Sequence, residues 1–274
     1  MRGLFTMGAL DYLMEKGVTF DAAVGVSAGV TFGCNIKSGQ KGRVLRYTTK
    51  YCRDWRFCSF RSWLLTGDLF GTKFCYDDIP FKLDPWDSAA WEANPMDFYV
   101  TATDTATGKA VFKKVVKTRN RKEIEWFRAS ASMPIASRPV KIGRWTLLDG
   151  GIADSIPLHF MEDKGMEKNV VILTQPVGFV KMPQKFMPAM RLLLARYPGV
   201  VRAMGRRHNV YNLETAYVRK RAEEGKAFII APPESLGIGH ISHDPEELRR
   251  VYNIGRQTME EKLPALLKFL GREE

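Results

Sequence analysis

Apolar residues recur at helical spacing from the start of the chain. Leu4, Met7, Leu10, Leu13 and Met14 place an apolar face on a helix over residues 2–16, and Gly17 supplies its stop. The short apolar run 20–26 predicts a buried strand, and 27–38 a helix that ends near Gly39. Residues 41–54 suit a further helix, basic on one face. Alternating patterns at 98–103 and 109–116, joined by Ala106-Thr107-Gly108, predict a hairpin; so do 139–142 and 144–148 around Gly143. A helix is expected over 123–130 between them, and Val170–Thr174 reads as a parallel strand. Helical patterns fill 183–224, a strand covers 228–230, and two helices are expected at 245–252 and 254–270. Strands alternating with helices predict an α/β fold with a mostly parallel sheet.

Residues 55–95 fit neither period. Trp55, Phe57, Phe60, Trp63, Phe70, Phe74, Trp86 and Trp91 stand there among Gly, Pro and Asp breakers. Such a segment serves as a cap over an apolar pocket, as a surface that dips into lipid, or as a satellite core under long loops.

At 274 residues and 45% hydrophobic content the chain can bury a sizeable core, and one domain is expected. No apolar run reaches about 18 residues, so no transmembrane helix is expected, and the start lacks the apolar core of a signal peptide. Cys34, Cys52, Cys58 and Cys75 form no C-x-x-C pair and match no zinc spacing. They read as free thiols in a reducing, cytoplasmic setting. The net charge of +12 gathers in Lys37–Arg61, Lys109–Arg128 and Arg191–Arg221. Such a surface attracts phosphate on lipid headgroups or nucleic acid. No zinc finger, basic zipper or RNA-binding signature accompanies it, so an anionic membrane surface is the better expectation and no specific nucleic acid is expected.

The candidate chemistry centres on Gly25-Val26-Ser27-Ala28-Gly29. This G-x-S-x-G follows a strand and opens a helix, the context of a nucleophile elbow. Side chains at Gly25 and Gly29 are expected to strike the neighbouring strand and helix. Ser27 would sit at the apex, and the Ala28 N–H would face a developing oxyanion. A second motif, Asp149-Gly150-Gly151, places a carboxylate at a strand end where backbone can approach closely. Asp154 and Ser155 read as caps ahead of Pro157, and Asp104 as a turn residue.

A serine hydroxyl needs a base. One constellation is the Ser, Asp, His order of α/β-hydrolases; His159, His208, His240 and His243 all follow Asp149, so it is available. Against it, only one helix and one strand precede Ser27. The other is a Ser27–Asp149 dyad.

G-x-S-x-G near the start, with D-G-G over a hundred residues later, resembles the patatin-like phospholipase family. Arg128-Ala129-Ser130-Ala131-Ser132-Met133-Pro134 is similar to that family's A-S-x-A-x-P segment, and Arg2-Gly3 to the end of its G-G-G-x-R-G motif. The resemblance implies a three-layer α/β/α fold with a catalytic core over 1–175. Residues 176–274 would form a mainly helical C-terminal extension packed on the same domain. It implies a serine lipid acyl hydrolase, acting through an acyl-enzyme with Ser27 as nucleophile and Asp149 as base. Arg2, Gly3 and Ala28 would lie at the oxyanion and substrate, and Gly25, Gly29, Gly150 and Gly151 would shape the turns. The substrate would be a phospholipid or other acyl ester, met at the membrane periphery; no metal and no cofactor is implied. The sequence begins inside the family's Gly-rich loop. Two expectations follow: a natural start upstream, with Met1 internal to a G-G-G-M-R-G motif, or a repurposed relative that binds lipid or anions without turnover.

Overall fold

The structure is a computed structural model, and it describes residues 1–119 and 121–272. In chain order the elements are α1 (Gly3–Glu15), β1 (Ala22–Val26), α2 (Ala28–Thr31), α3 (Asn35–Ser38), α4 (Arg43–Tyr51) and α5 (Phe60–Thr66). A π-helical stretch (Phe74–Leu83), α6 (Ser88–Ala93), β2 (Asp97–Asp104), β3 (Ala110–Lys114), α7 (Arg121–Ser130), β4 (Val140–Ile142) and β5 (Trp145–Asp149) follow. A 3₁₀ turn (Gly150–Ile152) leads to α8 (Leu158–Asp163), β6 (Asn169–Ile172), α9 (Met187–Leu193), α10 (Pro198–Glu223), β7 (Ala227–Ile230) and α11 (Pro245–Leu270).

Strand β2 organises the main sheet. It pairs along one edge with β3, antiparallel, from Tyr99↔Lys114 to Thr103↔Ala110. Its other edge is shared end to end: parallel β1 covers Asp97 to Thr101, and antiparallel β5 covers Ala102 to Asp104. Strand β4 completes the sheet beside β5. Strands β6 and β7 form a separate parallel pair. The fold is α/β as expected, with parallel pairing carried by β1–β2 and β6–β7. The antiparallel pairs β2–β3 and β4–β5 are hairpins joined by short turns, with Gly108 and Gly143 at φ of 73° and 55°, and β2–β5 is a third antiparallel pair between strands distant in sequence.

Alternation along β5 sorts the layers. Leu147 packs with Ala129 of α7, whereas its neighbour Leu148 packs with Met190 of α9 and Val200 and Met204 of α10. The sheet thus lies between α7 and the α9–α10 pair. The largest core joins α1, α4 and α11 with residues from the aromatic segment.

Helices α1 and α11 cross at two glycines. A Cβ at Gly8 would lie 1.9 Å from the Tyr252 carbonyl oxygen, and one at Gly255 would lie 2.0 Å from that of Phe5. Gly255 is therefore a crossing point within one continuous helix, not the break expected between 252 and 254. The helix expected over 27–38 is in turn divided into α2 and α3. Gly33 sits at the break, where a Cβ would come 2.3 Å from the Gly29 carbonyl oxygen.

The aromatic segment divides by burial. Phe57, Phe74, Trp86 and Trp91 enter the core, while Phe60, Leu64 and Leu65 stand exposed on α5. Part of the basic first stretch is structural rather than surface charge. Lys37 is buried and donates to the Asn94 and Met96 carbonyls, and buried Arg43 pairs with Asp84 at 3.3 Å. The four cysteines are free. No helix among the described residues is long and apolar enough to cross a membrane.

Candidate active site

Strand β1 stops at Val26, and Ser27 turns the chain with φ 54° and ψ −117°. A positive φ on a non-glycine residue stores strain and needs outside support. The support is visible. The Ser27 N–H donates to buried Ser130 Oγ at 2.9 Å, and the Ser27 carbonyl accepts from Val30 N and Thr31 N at 2.9 and 3.1 Å. Gly25 is required by space, since a Cβ there would lie 2.6 Å from the Gly29 carbonyl oxygen. Gly29 corrects its expectation: a Cβ there meets nothing within 4 Å. The close approach falls on Gly33, one turn further along. Gly3 abuts the same turn, with its missing Cβ 2.7 Å from the Ala28 Cβ.

Asp149 reaches Ser27 because of the β2 register. Strand β1 ends with Val26 opposite Thr101, and β5 ends with Asp149 opposite Ala102. Two strands of opposite direction therefore finish at adjacent positions on one edge. Asp149 is then pinned on every side. Its N–H donates to the Ser132 carbonyl at 2.8 Å, its carbonyl accepts from Thr103 Oγ1 at 2.8 Å, and its Oδ1 accepts from the Gly151 N–H at 2.8 Å. Gly150 lets this turn close, because a Cβ would come 2.3 Å from the Thr101 carbonyl oxygen. Burial pushes the Asp149 carboxyl up from its ordinary value; hydrogen bonds from the Ser27 hydroxyl and the Gly151 N–H, and the Arg207 charge, pull against it.

No histidine among the described residues hydrogen-bonds to Ser27 or Asp149. His159 stacks on Tyr217 with centroids 3.8 Å apart, and His243 Nδ1 contacts the Cys52 carbonyl. Asp104 is a turn residue, accepting from Ala106 N and Thr107 N at 3.3 and 3.2 Å. Asp154 and Ser155 do not cap α8. The Ser155 hydroxyl donates to the Gly151 carbonyl at 3.0 Å, its N–H donates to Glu214 at 3.2 Å, and Asp154 lies against the same Glu214.

Sequence reasoning missed what α10 contributes. Arg207 Nε donates to the Gly151 carbonyl. A Cβ placed on Gly151 would sit 3.2 Å from Asp149 Oδ1 and 3.3 Å from Arg207 Nη2. The guanidinium and the carboxylate thus flank one glycine. A basic stretch at 191–221 is legible in sequence, but nothing in its spacing singles out Arg207. Ser130 lay inside a recognised segment without an assigned task; its burial and its bond to Ser27 supply one.

Ser27, Asp149, Arg2, Gly3, Ala28, Gly25, Gly29 and Gly151 all line one cavity of about 1170 Å³. Gly150 instead faces β2. The cavity lining also includes the apolar side chains of Phe57, Phe70, Trp86, Phe127, Met190 and Met204. Among the described residues no protein acceptor takes the Ala28 N–H, so it is free to donate into this space.

A family model described as patatin-like phospholipase matches residues 1–161. A second, described as a domain of unknown function, matches residues 197–271. Over 266 residues the chain is 26% identical to YjjU of Escherichia coli strain K12, described as an uncharacterized protein. That match covers 93% of this chain and 72% of the other.

Proposed function

The chain belongs to the patatin-like phospholipase family, and on that premise we propose that it is a serine lipid acyl hydrolase working through a Ser27–Asp149 dyad. The observation that carries this reading is the strained Ser27 turn meeting a buried carboxylate at the end of a second strand, inside one apolar cavity. Strain at a residue held from outside is a mark of a working position.

In this reading an ester carbonyl enters beside Ser27 with its acyl chain along the apolar walls. Asp149 accepts the Ser27 proton as Oγ bonds to the carbonyl carbon. The oxygen takes up negative charge opposite the Ala28 N–H, next to Arg2 and Gly3. Collapse breaks the ester bond, and the proton on Asp149 passes to the leaving alcohol. Water then gives its proton to the same carboxylate, attacks the acyl-enzyme and releases the fatty acid with Ser27 restored.

The same proposal places the protein at the periphery of an anionic membrane, on the cytoplasmic side where free thiols stay reduced. Exposed Phe60, Leu64 and Leu65 on α5 and Leu192 and Leu193 on α9 support it. Leu64 and Leu193 line one shallow groove, and Met190 of the same α9 lines the catalytic cavity. Arg61 and Arg191 flank these residues, as suits anionic headgroups.

A fluorophosphonate probe tests the chemistry. We expect labelling of the protein together with ester hydrolysis, both lost in Ser27→Ala and in Asp149→Asn with the fold retained by circular dichroism. A protein that is neither labelled nor active on any acyl ester would sink the hydrolase reading and leave a lipid- or anion-binding protein.

A further inference from the structure

Three cations lacking ion-pair partners converge on the cavity that holds Ser27. Arg2 precedes α1, Lys181 lies on the loop before α9, and Arg207 stands on α10; all three line the cavity. Among the described residues none of them forms an ion pair. Cations are rarely drawn together in a half-buried space without a counter-charge.

We propose that Lys181 and Arg207, completed by Arg2, form a subsite that holds the phosphate group of an acyl-ester lipid while its ester lies at Ser27. The ester part rests on the hydrolase reading; the anion part does not.

The C-terminal segment builds the subsite. Arg207 is fixed by its bond to the Gly151 carbonyl, beside Asp149. Lys181 is held by α10 at two points. Its backbone is clamped by Asn212, with Lys181 N donating to Oδ1 at 2.8 Å and Nδ2 donating to the Lys181 carbonyl at 3.1 Å. Its ammonium lies 4.5 Å from the centre of the Tyr211 ring. Arg207, Tyr211 and Asn212 all fall within the region matched by the domain of unknown function, and this assigns that region a task at the catalytic cavity.

The titratable groups around the cluster agree. Burial, then Arg207 and Arg2, press the Lys181 ammonium down to about 8. Burial, then Arg2, presses His240 down to about 4. The nearby acid is not a strong counter-charge, because burial and Asp154 push Glu214 up to about 7. Asp154 is itself raised by burial, and Asp149, raised by burial, feels the charge of Arg207 but of neither Arg2 nor Lys181, while also accepting from Ser27 and Gly151. Tyr211 is also pushed up, by burial, and stays neutral. A positive field of this kind suits a ligand that brings several anionic oxygens, and a guanidinium can take two of them at once.

Calorimetric titration of the Ser27→Ala protein tests this without turnover. The probes are octyl phosphate, neutral octyl glucoside and inorganic phosphate. Octyl phosphate is expected to bind at least tenfold more tightly than octyl glucoside. Lys181→Gln and Arg207→Gln, each added to Ser27→Ala, should each weaken octyl phosphate at least fivefold and leave octyl glucoside within twofold. Arg206→Gln removes an exposed charge of the same helix outside the cavity and should change neither. Equal binding of the two octyl probes, or indifference to Lys181→Gln, overturns the subsite. Inorganic phosphate binding as tightly as octyl phosphate overturns the lipid assignment in favour of free phosphate. In wild type, turnover of neutral esters beside anion-indifferent binding would spare the hydrolase reading alone. Anion-selective binding without any turnover would spare the subsite alone.

Discussion

Ser130 Oγ accepts the Ser27 backbone N–H at 2.9 Å across 103 positions of sequence. The turn that presents the serine is therefore held by the segment that also carries Ser132, whose carbonyl takes the Asp149 N–H. One short stretch thus positions both members of the proposed dyad. Ser130→Ala should leave the fold intact, cost about 1–3 kcal/mol for the unpaired N–H, and lower kcat by roughly tenfold with KM little changed. Urea melts and ester kinetics check the two halves, and an unchanged kcat would show that the turn holds itself.

The motif glycines are not equivalent. Gly25→Ala forces a Cβ against backbone at 2.6 Å, whereas Gly29→Ala adds one to open space. Gly29→Ala should melt within a few degrees of wild type, and Gly25→Ala should lose at least about 2 kcal/mol. Thermal melts of the pair decide it; equal losses would count against the geometry.

The α1–α11 crossing makes a similar demand far from the site. Gly8→Ala and Gly255→Ala each drive a methyl into a carbonyl of the other helix. Each should lower Tm by about 5 °C or more, at roughly 2–4 °C per kcal/mol for a chain of this size. A melt within 1 °C of wild type for either would contradict the close crossing.

Proton transfer sets the acid limit of activity. Burial raises the Asp149 carboxyl above its ordinary value, and the base must be ionised to act. The acid limb of kcat/KM should therefore lie above pH 3.8, with activity lost as pH falls through it. The Arg207 charge pulls that carboxyl down, so Arg207→Gln should move the limb to higher pH. A pH–rate profile with an unmoved limb would separate Arg207 from Asp149.

Stability should carry its own pH signature. Glu214 is raised from 4.5 to about 7 by burial and by Asp154. The folded state binds the extra proton, so this contribution is full below pH 4.5 and is lost as pH rises through about 7. Urea midpoints should fall from pH 5 to pH 8 in wild type, and more steeply than in Glu214→Gln. Parallel curves for the two proteins would remove Glu214 from the account.

Local pattern was enough for much of the chain. The apolar spacing of α1, the hairpins closed by Gly108 and Gly143, and the two motifs around Ser27 and Asp149 could be read before any contact was known. These features depend on side-chain period and turn chemistry within about ten residues, which sequence records directly. The meeting of Ser27 with Asp149 could be expected only through resemblance. Its cause is the order in which β1 and β5 share one edge of β2, and strand order is not a local property. Gly255 shows the same limit in reverse. An isolated helix reads an interior glycine as a weak point costing about 1 kcal/mol, but the fold uses it to let α1 approach. Arg207, Lys181 and Ser130 were legible as residues and not as parts of the site. Their roles arise from close packing between segments 31 to 103 positions apart, where burial turns an ordinary charge or hydroxyl into a specific contact.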